Sequence, residues 1–200
     1  ENMANRFGLT EAKPVHTPLE CKIELEKYED KSELHPDNEL YRSIIGSAMY
    51  AAQLTRPDIM HAVCKLSRYL NEPTKAHMTQ AKRALTYLYT YKNEGITYGN
   101  KVHGIIGHNI IYGYADANFA SPKSTGGHIF MYNGGAISWR SYQQSITALS
   151  TSEAEYMALS DAAKKARSLL KLNIALETNT PNNIKIFEDN RGCIKWTSTL

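Results

Sequence analysis

The hydrophobic pattern divides the chain in two. From Leu40 apolar residues recur at helical spacing, with Tyr41, Ile44, Ile45, Ala48, Met49 and Ala52 on one stripe. Thr55-Arg56-Pro57-Asp58 is a helix start signal, and Ile59, Ala62, Val63, Leu66, Tyr69 and Leu70 form the buried face that follows it. A third helix begins after Pro73-Thr74 and carries Ala81, Ala84, Leu85, Leu88 and Tyr91. The pattern predicts a small helical unit over 38–95. Residues 1–37, with Pro14, Pro18 and Pro36 among many charges, read as an irregular lead-in.

Gly95, Gly99, Gly104 and Gly107 punctuate the boundary, and a second domain is expected over 108–200. Ile110 to Ala115 is a short apolar run ending on Asp116, and Gly127 to Tyr132 is another. Asn133-Gly134 is a hairpin turn into Ala136-Ile137-Ser138-Trp139. A helix from about Thr151 to Leu172 follows, then a strand at Ile184 to Phe187 and a helix from Asn190. The order strand, strand, strand, helix, strand, helix predicts an α/β fold. Its mixed sheet has three antiparallel strands and a fourth that runs parallel to the first after a right-handed crossover. Asp116 and Asp189 then lie side by side at the carboxyl ends of their strands, where open α/β sheets place ligands.

The long helix opens with Ser150-Thr151-Ser152-Glu153, a capping box. Glu153 shares a polar face with Ser160, Lys164 and Lys171. Glu155 instead shares its face with Leu159, Ala162, Ala166 and Leu169. A carboxylate at the end of a buried stripe is costly unless it is paired, hydrogen-bonded or bound to metal. Taken singly, Asp116 reads as a turn residue with Asn118, and Asp189 as the cap of the last helix. Their convergence with Glu155 on one sheet edge changes that reading. Three acids with no neighbouring base suit hard cations such as Mg²⁺, and such clusters can hold two ions roughly 4 Å apart for displacement at phosphorus.

Composition adds limits. A hydrophobic share of 42% and a charged share of 22% are ordinary for a globular chain, and a net charge of +3 permits a polyanionic partner without requiring one. Cys21, Cys64 and Cys193 form no CxxC pair and read as reduced thiols in an intracellular setting. No stretch approaches the roughly 20 apolar residues of a membrane helix. The absence of a Gly-rich phosphate loop argues against a small-molecule α/β enzyme.

Five ordered motifs resemble the ribonuclease H domain of copia-type retrotransposons. They are Tyr114-Ala-Asp116-Ala-Asn118, Lys123-Ser-Thr-Gly-Gly127, Gly135-Ala-Ile-Ser-Trp139, Ala148-Leu-Ser-Thr-Ser-Glu-Ala-Glu-Tyr156 and Glu188-Asp-Asn190. Upstream, Phe7-Gly8, Thr17-Pro-Leu19, Tyr41-Arg-Ser-Ile-Ile-Gly-Ser47 and Thr55-Arg-Pro-Asp-Ile59 are similar to the segment that joins polymerase to ribonuclease H in the same Pol polyproteins.

The resemblance implies a ribonuclease H fold, cleavage of the RNA strand of an RNA–DNA hybrid, and two Mg²⁺ ions, with Mn²⁺ as a substitute. It assigns Asp116, Glu155 and Asp189 as catalytic metal ligands, and an upstream reverse transcriptase domain as partner. A cytoplasmic or nuclear setting, including virus-like particles, goes with it. Asn118 stands where such elements often carry a second aspartate. The family's fifth strand and final acid-bearing helix are expected beyond Leu200, and the polymerase's Asp-Asp motif upstream of Glu1. Lys123, Arg140, Lys164 and Lys165 are candidate phosphate contacts, and Tyr114 and Trp139 are expected in the core. The competing reading is a non-catalytic remnant serving as a scaffold or interaction module.

Overall fold

The computed structural model describes residues 2–21, 23, 25, 34–99, 110–120, 122–177 and 181–198. The expected boundary glycines Gly104 and Gly107, and part of the lead-in, lie outside them. The chain forms two compact units, Glu1–Gly95 and Ile96–Leu200.

In the first unit, a short helix α1 (Asn2–Arg6) occurs within the segment expected to be irregular. The first stripe becomes α2 (Asn38–Leu54), started by the Asp37 carboxylate, which accepts from Leu40 N–H at 2.8 Å. The second expected helix is divided. Pro57–Ile59 is a 3₁₀ turn, Met60–Leu66 is α3, and Ser67–Tyr69 is 3₁₀ again. Pro57 enters at the first position, where its missing N–H costs nothing. Helix α4 (Lys75–Thr90) starts with a reciprocal cap: the Thr74 hydroxyl accepts from His77 N–H, and His77 Nδ1 accepts from Thr74 N–H. Tyr41 is fully buried, and its hydroxyl donates to Leu66 O at 2.8 Å, tying α2 to α3.

The second unit is a four-stranded sheet in the order β3-β2-β1-β4, with β1 (Ile111–Asn118), β2 (Thr125–Tyr132), β3 (Gly135–Gln143) and β4 (Lys185–Phe187). β1, β2 and β3 are antiparallel neighbours, and β4 runs parallel to β1. The turn between β2 and β3 puts Asn133 at φ 46° and Gly134 at φ 82°, the mirror-image geometry that Asn-Gly accommodates. Helix α5 (Thr151–Ala175) makes the crossover between β3 and β4, and α6 (Arg191–Ser198) follows β4. Here the mixed sheet preceded by helices is that of a ribonuclease H-like fold.

Packing grades along α5. At one end its Ala162, Ala166 and Leu169 meet Ile111, Ala115 and the fully buried Phe130. Toward its start the contact is made of alanines: Ala154 and Ala158 against Ala117 and Ala148. Small side chains bring the helix close to β1 there, so a glutamate on its first turns can reach the strand. Tyr114 is not core. It is 46% exposed and stacks on Phe187 with ring centroids 5.2 Å apart, because β1 alternates and only its Ile111–Ala115–Ala117 side is covered by α5. Trp139 is half-buried.

Candidate metal centre

Three elements deliver the acids. β1 continues through Asp116 to Asn118, which pairs with Thr125, so Asp116 lies in the ladder and makes no turn with Asn118. The parallel register pairs Tyr114 with Phe187; continued by two residues it sets Asp116 opposite Asp189. Asp189 is free of the capping role. Asn190 caps α6 instead, its Oδ1 accepting from Cys193 N–H at 2.9 Å and lying 3.2 Å from the Ser152 hydroxyl on α5.

Helix α5 is aimed by its own start. The Ser150 hydroxyl accepts from Glu153 N–H at 3.2 Å, and Glu153 Oε2 accepts from Leu149 N–H at 2.7 Å, one residue earlier than the expected cap contact. Buried Gln144 links β3 to this turn, taking Ser124 O through its backbone N–H and Ala154 O through Nε2, both at 2.8 Å. Glu153 is thereby committed to the helix end. Glu155 turns inward.

One carboxylate oxygen from each of Asp116, Glu155 and Asp189 lies within 4.8 Å of the others. Both aspartates are exposed, whereas Glu155 is only 4% exposed. Glu155 accepts from the Ala117 backbone N–H, yet its Oε2 is buried without a partner. Burial, then Glu188, Asp116 and Asp189, push its carboxyl up to about 7. A buried carboxylate with an orphaned oxygen amid like charges fits a hard cation with oxygen ligands, so the donor set suits Mg²⁺.

Glu188 was not among the sequence candidates. Burial raises its carboxyl above the usual range, with Asp189 and Asp116 adding to this, while its Oε1 accepts from Asn190 N–H at 3.0 Å. The alternation of Ile184, Ile186 and Glu188, all half-buried, could have revealed it, since the two isoleucines pack against the core. Nearby Cys193 is fully buried, and burial followed by Glu188 and Glu155 pushes its thiol up to about 11.

The four basic candidates separate. Lys123 and Lys164 are exposed and Lys165 is half-buried. Arg140 donates to Asp161 at 3.1 Å and its guanidinium lies 4.4 Å from the Tyr142 ring centre, so its charge is already engaged. Lys164 lines an open cavity of about 270 Å³ with Tyr142, Gln144, Tyr156 and Asp161.

Relatives carry the same stretch of sequence. The retrovirus-related Pol polyprotein from transposon TNT 1-94 of Nicotiana tabacum is 38% identical over 173 residues, covering 82% of this chain and 13% of that protein. The polyprotein from transposon RE1 of Arabidopsis thaliana is 33% identical over 193 residues, covering 94% of this chain and 12% of that protein. Secreted RxLR effector protein 161 of Plasmopara viticola is 40% identical over 130 residues, covering 63% of this chain and 88% of that protein. No family model and no solved structure matches. The chain belongs to the Pol polyproteins of copia-type retrotransposons, and it spans about an eighth of the length of the two polyproteins compared. No helix among the described residues is long and apolar enough to cross a membrane.

Proposed function

We propose that residues 110–198 belong to a ribonuclease H that hydrolyses the RNA strand of RNA–DNA hybrids, working beside the reverse transcriptase domain of the same polyprotein. The observation that carries this reading is the meeting of three carboxylates from β1, α5 and the end of β4 within 4.8 Å, one of them buried with an orphaned oxygen. Asp116, Glu155 and Asp189 would hold Mg²⁺. When bound, such ions supply an activated water and charge stabilisation at phosphorus. The protein's own part is to fix the ligands: the β1–β4 register places the aspartates, and the capped, alanine-packed start of α5 places Glu155. Exposed Lys123 and Lys164 are offered as backbone contacts for the hybrid. The test is cleavage of a labelled RNA strand annealed to DNA, in Mg²⁺, by the protein that carries these residues. Cleavage that Asp116→Asn abolishes without loss of fold is expected. Cleavage that survives the substitution overturns the assignment.

A second reading has one observation in its favour. A relative of which the chain covers 88% is named as a secreted effector, not a polyprotein. A non-catalytic module would bind no Mg²⁺, and its melting curve would be the same with and without the ion.

A further inference from the structure

Asp189 stands between two fastenings. On one side the β1–β4 ladder ends at the Tyr114–Phe187 pair, two residues short of it. On the other side is Asn190, whose Oδ1 accepts from two elements at once. Cys193 N–H at the start of α6 donates to it at 2.9 Å, and the Ser152 hydroxyl on the first turn of α5 donates to it at 3.2 Å. The Asn190 backbone is held as well, its N–H donating to Glu188 Oε1 and its carbonyl accepting from Ile194 N–H, both at 3.0 Å. The two helices meet here at close range. A Cβ on Gly192 would lie 2.6 Å from Ser152 Oγ and 3.1 Å from Asn190 Oδ1, so the approach requires the missing side chain of glycine. Four residues further along each helix, the Tyr156 and Trp196 rings meet edge to face with centroids 6.1 Å apart. Ser152 is one helical turn before Glu155, and Asn190 directly follows Asp189. Their contact therefore links the helix-borne acid to the acid past β4, which the β1–β4 register alone does not do.

We propose that Ser152, Asn190 and Gly192 are positioning residues of the cation centre, forming a close hydrogen-bonded contact that sets the separation between the Glu155 and Asp189 carboxylates. They act through the ligands and not on the ion. The proposal rests on the metal-centre reading above and adds what holds two of its ligands at one distance. Mg²⁺ demands near-ideal octahedral geometry at about 2.0–2.1 Å from its oxygens. A working site must be held within about 0.5 Å of its productive arrangement. Relieving a 2.6 Å contact to the ordinary 3.4 Å or more exceeds that tolerance, unless the Ser152 hydroxyl swings away and gives up Asn190. Either response undoes the contact.

The test is Mn²⁺ binding to the 200-residue chain, followed by calorimetry above the pH of about 7 to which Glu155 is pushed, with the metal-free melting temperature recorded alongside. Gly192→Ala introduces the clash, and because alanine favours a helix more than glycine does, α6 itself is not weakened. The variant is expected to bind Mn²⁺ about tenfold more weakly, the order found when groups behind metal ligands are lost. Ser152→Ala removes the clashing oxygen together with its hydrogen bond. Alone it should lose about threefold, the order of one hydrogen bond, and combined with Gly192→Ala it should bring affinity back to its own level. Parental affinity in Gly192→Ala overturns the proposal even where the melting temperature falls, since the contact is then structural alone. A double variant that binds no better than Gly192→Ala overturns it too. Should Gly192→Ala not fold, Ser152→Ala decides, and parental affinity there has the same meaning. Asp116→Asn separates the two levels. If it loses Mn²⁺ binding while Gly192→Ala keeps it, the positioning assignment alone falls. If Asp116→Asn binds as the parent does, the metal-centre reading falls and takes the proposal with it.

Discussion

Asp116 on β1 and Asp189, just past the end of β4, each stand two residues beyond the Tyr114–Phe187 pair that closes the parallel β1–β4 ladder. Backbone pairing, not attraction, brings the two carboxylates together, and ionised acids held this way repel one another. Asp189→Asn removes part of that repulsion while Asn190 continues to cap α6. The variant is expected to gain about 0.5–1 kcal/mol without metal, a rise of a few degrees in melting temperature. Mg²⁺ should stabilise the parent and do much less for the variant. A thermal melt of both proteins with and without Mg²⁺ decides it, and a lower metal-free melting point in Asp189→Asn would sink the argument.

Through Glu155 the metal-free protein should lose stability as pH rises, in opposition to buried His128, which burial pushes down and which favours the fold as pH rises. Glu155 is pushed up to about 7 in the fold, against an ordinary value of 4.5, so between these values the folded state binds the proton that the unfolded chain has released. Its contribution is fully present below 4.5 and lost as pH climbs through 7. Glu188 is shifted in the same direction and adds to the fall. A loss on the order of 1–3 kcal/mol across this window is expected. Urea titrations at pH 5 and pH 8 measure it, and saturating Mg²⁺ should flatten the difference.

Neighbouring glutamates on one helical turn should behave differently. Glu153→Ala removes the contact to Leu149 N–H and is expected to cost about 1 kcal/mol with Mg²⁺ affinity intact. Glu155→Gln should cost little or nothing in the fold and remove most of the Mg²⁺ response. Calorimetric titration of both variants checks the contrast, and an Mg²⁺ loss in Glu153→Ala alone would reverse the assignment.

Gly113 is required by its neighbour across the sheet. A Cβ at this position would stand 2.6 Å from the ring of Phe130, which is fully buried. Gly113→Ala is expected to destabilise the second unit by about 1–3 kcal/mol, with partial recovery when Phe130 is shortened to Leu. Denaturant melts of the single and double variants test the coupling.

Much of this could be read from residue order, because period and chemistry agreed. The helical face that separates Glu155 from Glu153 depends only on spacing, and the Asn133-Gly134 hairpin depends only on backbone preference. Tyr114 was misplaced for a physical reason. Both sides of a strand can carry apolar residues, and the sequence does not say which side receives a helix. Glu188 escaped notice because it stands beside an acid with an evident role. Its inward direction follows only once Ile184 and Ile186 are known to face the core. The divided second helix was hidden too, since a stripe of apolar residues is compatible with α and 3₁₀ turns alike.

β4 has three residues and, among the described residues, a single neighbour, β1. Asp189 follows its end by two residues, so one acid of the proposed centre hangs from the shortest strand of the sheet. Strands with so few ladder bonds open locally long before the whole unit unfolds. Occupancy of the centre would then be felt first in that opening. Amide exchange at Ile186 and Phe187 should slow when Mg²⁺ binds, while exchange in the β2–β3 hairpin hardly changes. In this arrangement a bound cation would act as a clasp on β4, so that fastening this strand to β1 and occupying the centre become one event.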